Sequence, residues 1–416
     1  MVRVALAAIA ALAVALATPA LAVGAPDAPH PDADAWILID ADDGEKLAGS
    51  AVSRELAIAS ATKLMTAYLV LEELPLDRRL PAAEYSALPV ESVLGTRAGE
   101  RVSVRDLLYA LLLASANDAA VTLAEGVSRS VPKFVNEMNA QAEALELTDT
   151  SYTNPIGLDA PGNGSSARDL ATLADELMER KLFRRIVGST EHVVKTDQRS
   201  IPIGTRNTLL FQTPWVTGIK TGHTLQAGYV LVGSAARKGI DLISVVLGAA
   251  SEAARDAASL DLLEYGFSLY KERTPVRADE PLAAPALADQ DEELELVAKR
   301  PVRVSVRRDQ RIATEITAPG EVEGPVRRGE PLGEAVVELD GRKAGSTPLV
   351  AARSAEAASF GDKLGSRIPI LAAIGALVIL IGVLWVRRRR GAGPRTPEER
   401  MMHQDDRMRR REEGRP

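Results

Sequence analysis

The sequence predicts an α+β protein in which helices flank an antiparallel sheet, followed by a small all-β domain and one apolar helix. Two β-rich runs, at 228–234 and 242–248, stand on either side of the turn signal Arg237-Lys238-Gly239, and helical patterns precede and follow them. The stretch 294–351 contains only short strand patterns. After it comes a charge-free run of 19 residues at 368–386.

The first predicted elements are a hairpin and a helix. The apolar run 35–40, an Asp-Asp-Gly turn and a second strand at 46–51 predict the hairpin. Ser60 precedes a segment in which apolar residues recur at three- and four-residue spacings, which predicts a helix that begins near Ser60 and ends at Pro75. An irregular region then extends to about residue 94.

Four more helices are predicted before the sheet. Ser103 caps the first, whose leucine stripe is too apolar for a surface helix. Helical patterns at 119–127 and 131–145 follow, and Ser166 caps the fourth helix. Residues 191–206 are typical of strand and turn.

A strand at 216–221 leads into the two β-rich runs, and a helix at 257–267 closes the domain. The chain then becomes rich in proline, alanine and acidic residues. We therefore assign residues 23–275 to the first domain, 276–352 to the β-rich domain and 353–367 to a stalk.

Both ends of the chain predict export and membrane attachment. Residues 1–22 combine Arg3, an Ala/Val/Leu run and the A-x-A site Ala20-Leu21-Ala22, which is typical of a signal peptide, with an uncleaved anchor helix as the alternative. As a helix, 368–386 would be roughly 28 Å long, enough to cross a bilayer. The basic tail 387–416 begins with four arginines, which favours a single span with a cytoplasmic C-terminus over a buried core helix.

The composition excludes several other functions. The chain has no cysteine, which excludes disulfides, thiolate metal sites and cysteine nucleophiles. Its four histidines are scattered, so no metal site or cofactor is predicted. The chain carries −7 although its tail holds 11 arginines against 6 acidic residues, so the preceding part is strongly acidic, which argues against nucleic-acid binding.

Ser60 and Lys63 form an S-x-x-K pair at the start of the first helix. Residues three apart share a helix face, so the hydroxyl and the amine are expected to meet where backbone N–H groups are free. A serine hydroxyl needs a base, and a desolvated lysine can lose its charge and become one. The alternative is a capping serine followed by a surface lysine.

Two further motifs favour the catalytic interpretation. Ser115-Ala116-Asn117 interrupts two helical patterns and is predicted to lie in a turn, and Lys220-Thr221-Gly222 follows later. In this order, S-x-x-K, a serine-asparagine element and K-T-G are the signature of penicillin-binding proteins and class A β-lactamases, although the middle element here has alanine in place of aspartate. By these residues, and by Lys220-Thr221-Gly222-His223-Thr224 in full, the chain resembles the low-molecular-mass penicillin-binding proteins, the serine D-alanyl-D-alanine carboxypeptidases. The resemblance covers roughly residues 30–350 and implies their transpeptidase-like fold.

The resemblance implies a role for each motif residue. Ser60 would attack the bond between two D-alanines of a peptidoglycan stem peptide, with Lys63 as base. The backbone N–H groups of Ser60 and His223 would form the oxyanion hole. Ser115 would pass a proton to the leaving amine, and Lys220 would supply positive field. β-Lactam antibiotics are the inhibitors that the resemblance implies.

The other substrate-binding residues that the resemblance implies are Asn117, for the substrate amide, and Thr221, Thr224 and Arg255, for the terminal carboxylate. Gly222 and His223 of the K-T-G-H-T stretch complete the set. His223 is favoured as a spacer, and Arg255 has an ordinary alternative as the partner of Asp256 or Glu252. Two other functions remain open. One is a class A β-lactamase, although the loop at 157–159 lacks the glutamate of that class, and the other is a catalytically silent, membrane-tethered wall-binding protein.

Overall fold

The computed structural model describes residues 27–359 and 368–390. The predicted signal peptide, the part of the predicted stalk at 360–367 and the predicted tail from residue 391 lie outside the described residues. The described residues divide into two compact units. One contains residues up to 273 together with 303–311, and the other contains 274–302 and the residues from 312.

The first unit alternates strands and helices. In chain order its elements are β1 (Ala35–Asp40), β2 (Lys46–Ser50), a 3-10 turn (Ala59–Thr62), α1 (Lys63–Glu73), β3 (Arg79–Pro81), β4 (Arg101–Ser103), α2 (Val104–Leu112), α3 (Asn117–Ser128), α4 (Val131–Ala144), α5 (Ala167–Met178), α6 (Lys181–Val187), β5 (Glu191–Lys195), β6 (Ser200–Gly204), α7 (Leu209–Gln212), β7 (Val216–Thr224), β8 (Gly228–Arg237), β9 (Ile240–Ala249) and α8 (Glu252–Ser268). The order β2-β1-β9-β8-β7 forms an antiparallel sheet, which confirms the predicted fold class.

The sheet is buried on both faces because side chains alternate along each strand. On β1, Ile37 and Ile39 pack into the large core with the helices that follow. Trp36 and Leu38 point the other way, into a smaller core that contains Leu262 of α8. This double burial explains why the strands are apolar runs rather than alternating patterns.

The start of the first helix differs from the prediction. Ser60 lies in the 3-10 turn, and the α-helix itself begins at Lys63. Short 3-10 turns are common at helix N-termini, and in them residues i and i+3 eclipse each other. The 3-10 turn therefore aligns Ser60 with Lys63 on one face of the chain.

Between α8 and residue 359, every regular element is a strand. These are β10 (Tyr270–Val276), β11 (Pro281–Ala283), β12 (Ala286–Leu287), β13 (Leu296–Ala298), β14 (Val302–Arg307), β15 (Ile312–Thr317), β16 (Glu321–Val322), β17 (Pro331–Leu339) and β18 (Arg342–Ala351). Five of them form the sheet β11-β13-β18-β17-β15 of the second unit, which confirms an all-β domain. The last described element is α9 (Ile368–Arg390). Within the two described ranges, no helix combines the length and the hydropathy of a membrane span.

Arg307 connects the segment 303–311 to the first unit. Its guanidinium donates to Asp40 Oδ2 at 2.8 Å, to Asp43 Oδ2 at 3.1 Å and to Asp309 Oδ1 at 2.8 Å. Asp40 is only 2% exposed, so its carboxylate depends on the positive charge of Arg307. A segment that the sequence assigns to the β-rich domain is thus part of the first unit.

Arg307→Ala is expected to lower the free energy of unfolding of the first unit by about 3–5 kcal/mol, because it leaves the buried Asp40 carboxylate without its cationic partner. Chemical denaturation measures this change. The exposed Arg303→Ala is the matched control, with an expected effect within about 0.5 kcal/mol. Equal effects of the two variants would contradict the assigned role of Arg307.

Candidate active site

The site is built around the amine of Lys63. Lys63 is completely buried, yet all three hydrogens of its ammonium have acceptors. Nζ donates to Ser60 Oγ at 3.1 Å, to Asn117 Oδ1 at 2.7 Å and to the carbonyl oxygen of Ile156 at 2.6 Å. Two of the three predicted motifs therefore meet at this nitrogen.

Burial gives Lys63 the properties of a base at neutral pH. Desolvation lowers its pKa to about 7, against a smaller opposing effect from the negative charge of Glu91. A neutral amine has two hydrogens and one lone pair. Asn117 Oδ1 and the Ile156 carbonyl can only accept, so they take the two hydrogens and the lone pair faces the Ser60 hydroxyl. The geometry therefore suits transfer of the Ser60 proton to Lys63.

The third motif lies on β7, beside the turn that holds Ser60. Lys220 is 1% exposed, and its Nζ donates to the carbonyl oxygen of Thr221 at 2.8 Å. The pKa of Lys220 lies well below its usual range, first because of burial and then because of the positive charges of Lys63, Arg206 and Arg255. The two buried lysines thus act on each other, as the converging motifs predict.

Two glycines allow the neighbouring chain segments to approach the Ser60 turn. A Cβ on Gly222 of β7 would lie 2.9 Å from the backbone nitrogen of Ser60. A Cβ on Gly157 would lie 1.9 Å from the carbonyl oxygen of Ala59, and the φ angle of Gly157 is +87°. Both positions require a residue without a side chain, since any larger one would push the turn away.

Gly157→Ala is expected to reduce kcat/KM by about 10²-fold or more, because the added Cβ displaces the Ser60 turn and small misplacements of reacting groups are costly. Hydrolysis of a peptide that ends in D-Ala-D-Ala measures the loss. Gly162→Ala is the control from the same loop. Gly162 also has a positive φ, but its Cβ would meet only Thr153 Cγ2, at 3.7 Å. Equal losses in both variants would assign the effect to backbone strain instead of close approach.

Ser115 lies in the turn between α2 and α3, as predicted. Its φ of +59° is rare for a residue with a side chain, and strained backbone of this kind is found at functional sites. Ser115 is 6% exposed, and its hydroxyl makes no hydrogen bond within the described part of the chain. The hydroxyl is therefore available to a substrate. Asn117 begins α3 and belongs to the Lys63 network.

Three predicted substrate-binding side chains have other contacts here. The Thr224 hydroxyl donates to Asp159 Oδ1 at 2.6 Å, and the His223 ring packs on Tyr229 with centroids 4.2 Å apart. The guanidinium of Arg255 is 4% exposed and donates to Asp256 Oδ1 at 2.7 Å and to Glu252 Oε1 at 3.1 Å. The ion-pair alternative for Arg255 and the spacer role of the His223 side chain both fit these contacts. Thr221, at 8% exposure, lies on β7 next to Lys220.

Sequence reasoning missed three groups at the site. They are the carbonyl oxygen of Ile156, which binds Lys63, the carboxylate of Glu91, which binds Asn117, and the hydroxyl of Tyr85, which binds Glu91. A carbonyl oxygen leaves no trace in a sequence pattern. Glu91 is the only charged residue between Tyr85 and Gly95, and that isolation is the one signal that could have singled it out.

Comparisons with known proteins agree with this geometry. The family model for D-alanyl-D-alanine carboxypeptidases of peptidase family S11 matches residues 22–251, and the model for the C-terminal domain of penicillin-binding protein 5 matches residues 270–357. D-alanyl-D-alanine carboxypeptidase DacF of Bacillus subtilis is 30% identical over 340 residues, covering 79% of this chain and 87% of the relative. D-alanyl-D-alanine carboxypeptidase DacC of Escherichia coli is 33% identical over 351 residues, covering 80% of this chain and 87% of the relative.

A solved structure of a penicillin-binding protein has a similar fold. The crystal structure of penicillin-binding protein 5 from Haemophilus influenzae superimposes with a TM-score of 0.57 at 28% identity, covering 80% of this chain and 99% of that one. The fold, together with the Ser60 hydroxyl beside the buried Lys63, defines a serine hydrolase of the penicillin-binding class. The chain belongs to the D-alanyl-D-alanine carboxypeptidases of peptidase family S11.

Proposed function

We propose that this carboxypeptidase removes the terminal D-alanine from peptidoglycan stem peptides by way of an acyl-enzyme on Ser60. The observation that supports this most directly is the 3.1 Å contact between Ser60 Oγ and the buried amine of Lys63. It supplies the base that an alcohol nucleophile needs. Lys63, Ser115 and Lys220 complete the catalytic set.

In the first step, Ser60 Oγ bonds to the carbonyl carbon of the penultimate D-alanine while its proton moves to Lys63 Nζ. The backbone N–H groups of Ser60 and His223 stabilise the oxyanion. The C–N bond then breaks, and the leaving amine takes a proton through the Ser115 hydroxyl, with Lys220 adding positive field. Free D-alanine leaves, and the acyl group stays on Ser60 Oγ.

In the second step, water attacks the ester carbonyl, Ser60 regains a proton, and the shortened peptide dissociates. Substrate is held on the β7 side by Thr221, Gly222 and Thr224 and on the α3 side by Asn117. We place the terminal carboxylate near Lys220, where Arg206 and Arg255 add positive charge. Thr224 and Arg255 would either keep their bonds to Asp159 and to Asp256 and Glu252, or exchange those bonds for bonds to the substrate.

We further propose that β-lactam antibiotics acylate the same hydroxyl, since they present a reactive carbonyl to the nucleophile. Labelled benzylpenicillin followed by peptide mapping tests this, and the label is expected on Ser60. A label on another residue would contradict the mechanism. A long-lived adduct fits a carboxypeptidase, whereas rapid turnover of the penicillin would favour the β-lactamase alternative.

We also propose that the catalytic unit acts outside the cell membrane and is attached through residues 368–386. Support comes from the charge-free run, the four arginines that follow it, and the exposure of its apolar side chains from Ile374 to Val386. Expressed with its leader, the full chain is expected to sediment with membranes and to resist alkaline extraction. A variant that ends at residue 359 is expected in the soluble fraction. If both variants sedimented equally, this anchor would be excluded.

A further inference from the structure

One carboxylate beside the active-site lysine belongs to none of the motifs. Glu91 lies in the segment between β3 and β4, and its Oε2 accepts a hydrogen bond from Asn117 Nδ2 at 2.7 Å. The Tyr85 hydroxyl donates to the same oxygen, and the backbone N–H of Leu88 donates to Oε1 at 3.0 Å. Both carboxylate oxygens are therefore held in place.

This contact determines which end of the Asn117 amide faces Lys63. A carboxylate can only accept hydrogen bonds, so it selects the NH₂ end of the amide and turns Oδ1 toward Lys63. Were the amide reversed, Nδ2 would donate to the lone pair of neutral Lys63. That lone pair is the one that must receive the Ser60 proton, so a reversed amide would compete with the nucleophile.

We propose that Glu91 is a positioning residue, whose carboxylate holds the Asn117 amide in the one orientation that leaves the Lys63 lone pair to Ser60. The proposal deepens the carboxypeptidase function and rests on it. Glu91 acts through Asn117 and does not touch the reacting atoms.

The negative charge of Glu91 gives the proposal a second test, the pH dependence of the activity. The charged and titratable groups that face this network are Glu91 and Tyr85 from the segment between β3 and β4, Asp118 from α3, Lys63 from α1 and Lys220 from β7. Glu91 raises the pKa of Lys63, in opposition to the larger effect of burial. Removal of the negative charge would therefore lower that pKa. Because Lys63 acts in its neutral form, the acidic limb of the activity profile would move to lower pH.

The experiment measures kcat/KM against pH for D-alanine release from a peptide ending in D-Ala-D-Ala, with the purified full chain. Glu91→Gln is expected to lower the plateau on the order of tenfold, because glutamine can present either end to Asn117, and to shift the acidic limb to lower pH. Glu91→Asp keeps the negative charge, so the acidic limb of its pH profile is expected to stay at the wild-type position. Its plateau value of kcat/KM is expected to lie between those of Glu91→Gln and the wild type.

Two matched controls come from the same segment. Glu84→Gln removes an exposed carboxylate and is expected to behave as wild type. Glu100→Gln loosens the segment, because Glu100 is completely buried and pairs with Arg199 at 3.1 Å, but it leaves the Asn117 contact intact.

Two results would overturn the proposal. One is a Glu91→Gln variant whose plateau kcat/KM and acidic limb both match those of the wild type. The other is a lower plateau with an unmoved limb, matching Glu100→Gln, which would make Glu91 a structural residue of the segment. A wild-type chain that released no D-alanine would instead refute the proposed function, so the two failures are distinguishable.

Discussion

Replacing Ser60 by alanine is expected to reduce D-alanine release by at least about 10⁴-fold, because the variant loses the atom that forms the acyl-enzyme. Binding and the oxyanion hole alone leave only residual catalysis. Release of D-alanine measured at saturating peptide reports the loss. The variant is also expected to retain no covalent label from benzylpenicillin.

The Ser60 variant should keep its fold, since among the described residues Ser60 Oγ has a single hydrogen bond, to Lys63. The control is Ser53→Ala, an exposed serine seven positions earlier, with unchanged activity expected. If Ser60→Ala released D-alanine at the wild-type rate, Ser60 would not be the nucleophile.

The second large effect concerns Lys63 and pH. Its pKa of about 7 lies far below that of an exposed lysine, so the neutral form begins to dominate above neutral pH. Below pH 7 the amine is protonated and cannot take the Ser60 proton. We therefore expect kcat/KM to fall about tenfold for each pH unit in the acidic limb and to reach a plateau above pH 7–8.

Lys63→Met is expected to lower kcat/KM by about 10²- to 10⁴-fold and to remove the limb near pH 7, since the group that titrates is gone. The matched control is Lys133→Met, at an exposed position of α4, which should keep both rate and limb. A limb that persisted in Lys63→Met would assign the titration to another group, with Lys220 as the first candidate because its pKa is also lowered.

Much of the site could be predicted because its spacing is local. Ser60 and Lys63 are three residues apart, and any helical turn brings such residues together. The S-A-N and K-T-G motifs were recognisable by their letters. The contacts of Thr224 and His223 were not, because they depend on Asp159 and Tyr229, whose positions follow from the packing of loops and strands. The contacts of Arg255 with Asp256 and Glu252 are local, and the sequence offered them as an alternative.

The sequence by itself determined the class of fold, the order of the motifs and the pair of residues, Ser60 and Lys63, that we propose carries the chemistry. Hydrophobic periodicity and short-range spacing are properties of the chain, and they hold before it folds. The tertiary structure decided what suits Lys63 to the proposed role of base. Asn117 and Ile156 are 54 and 93 residues away, and only packing brings their oxygens to its nitrogen. Desolvation, which sets its pKa, exists only once the surrounding core excludes water.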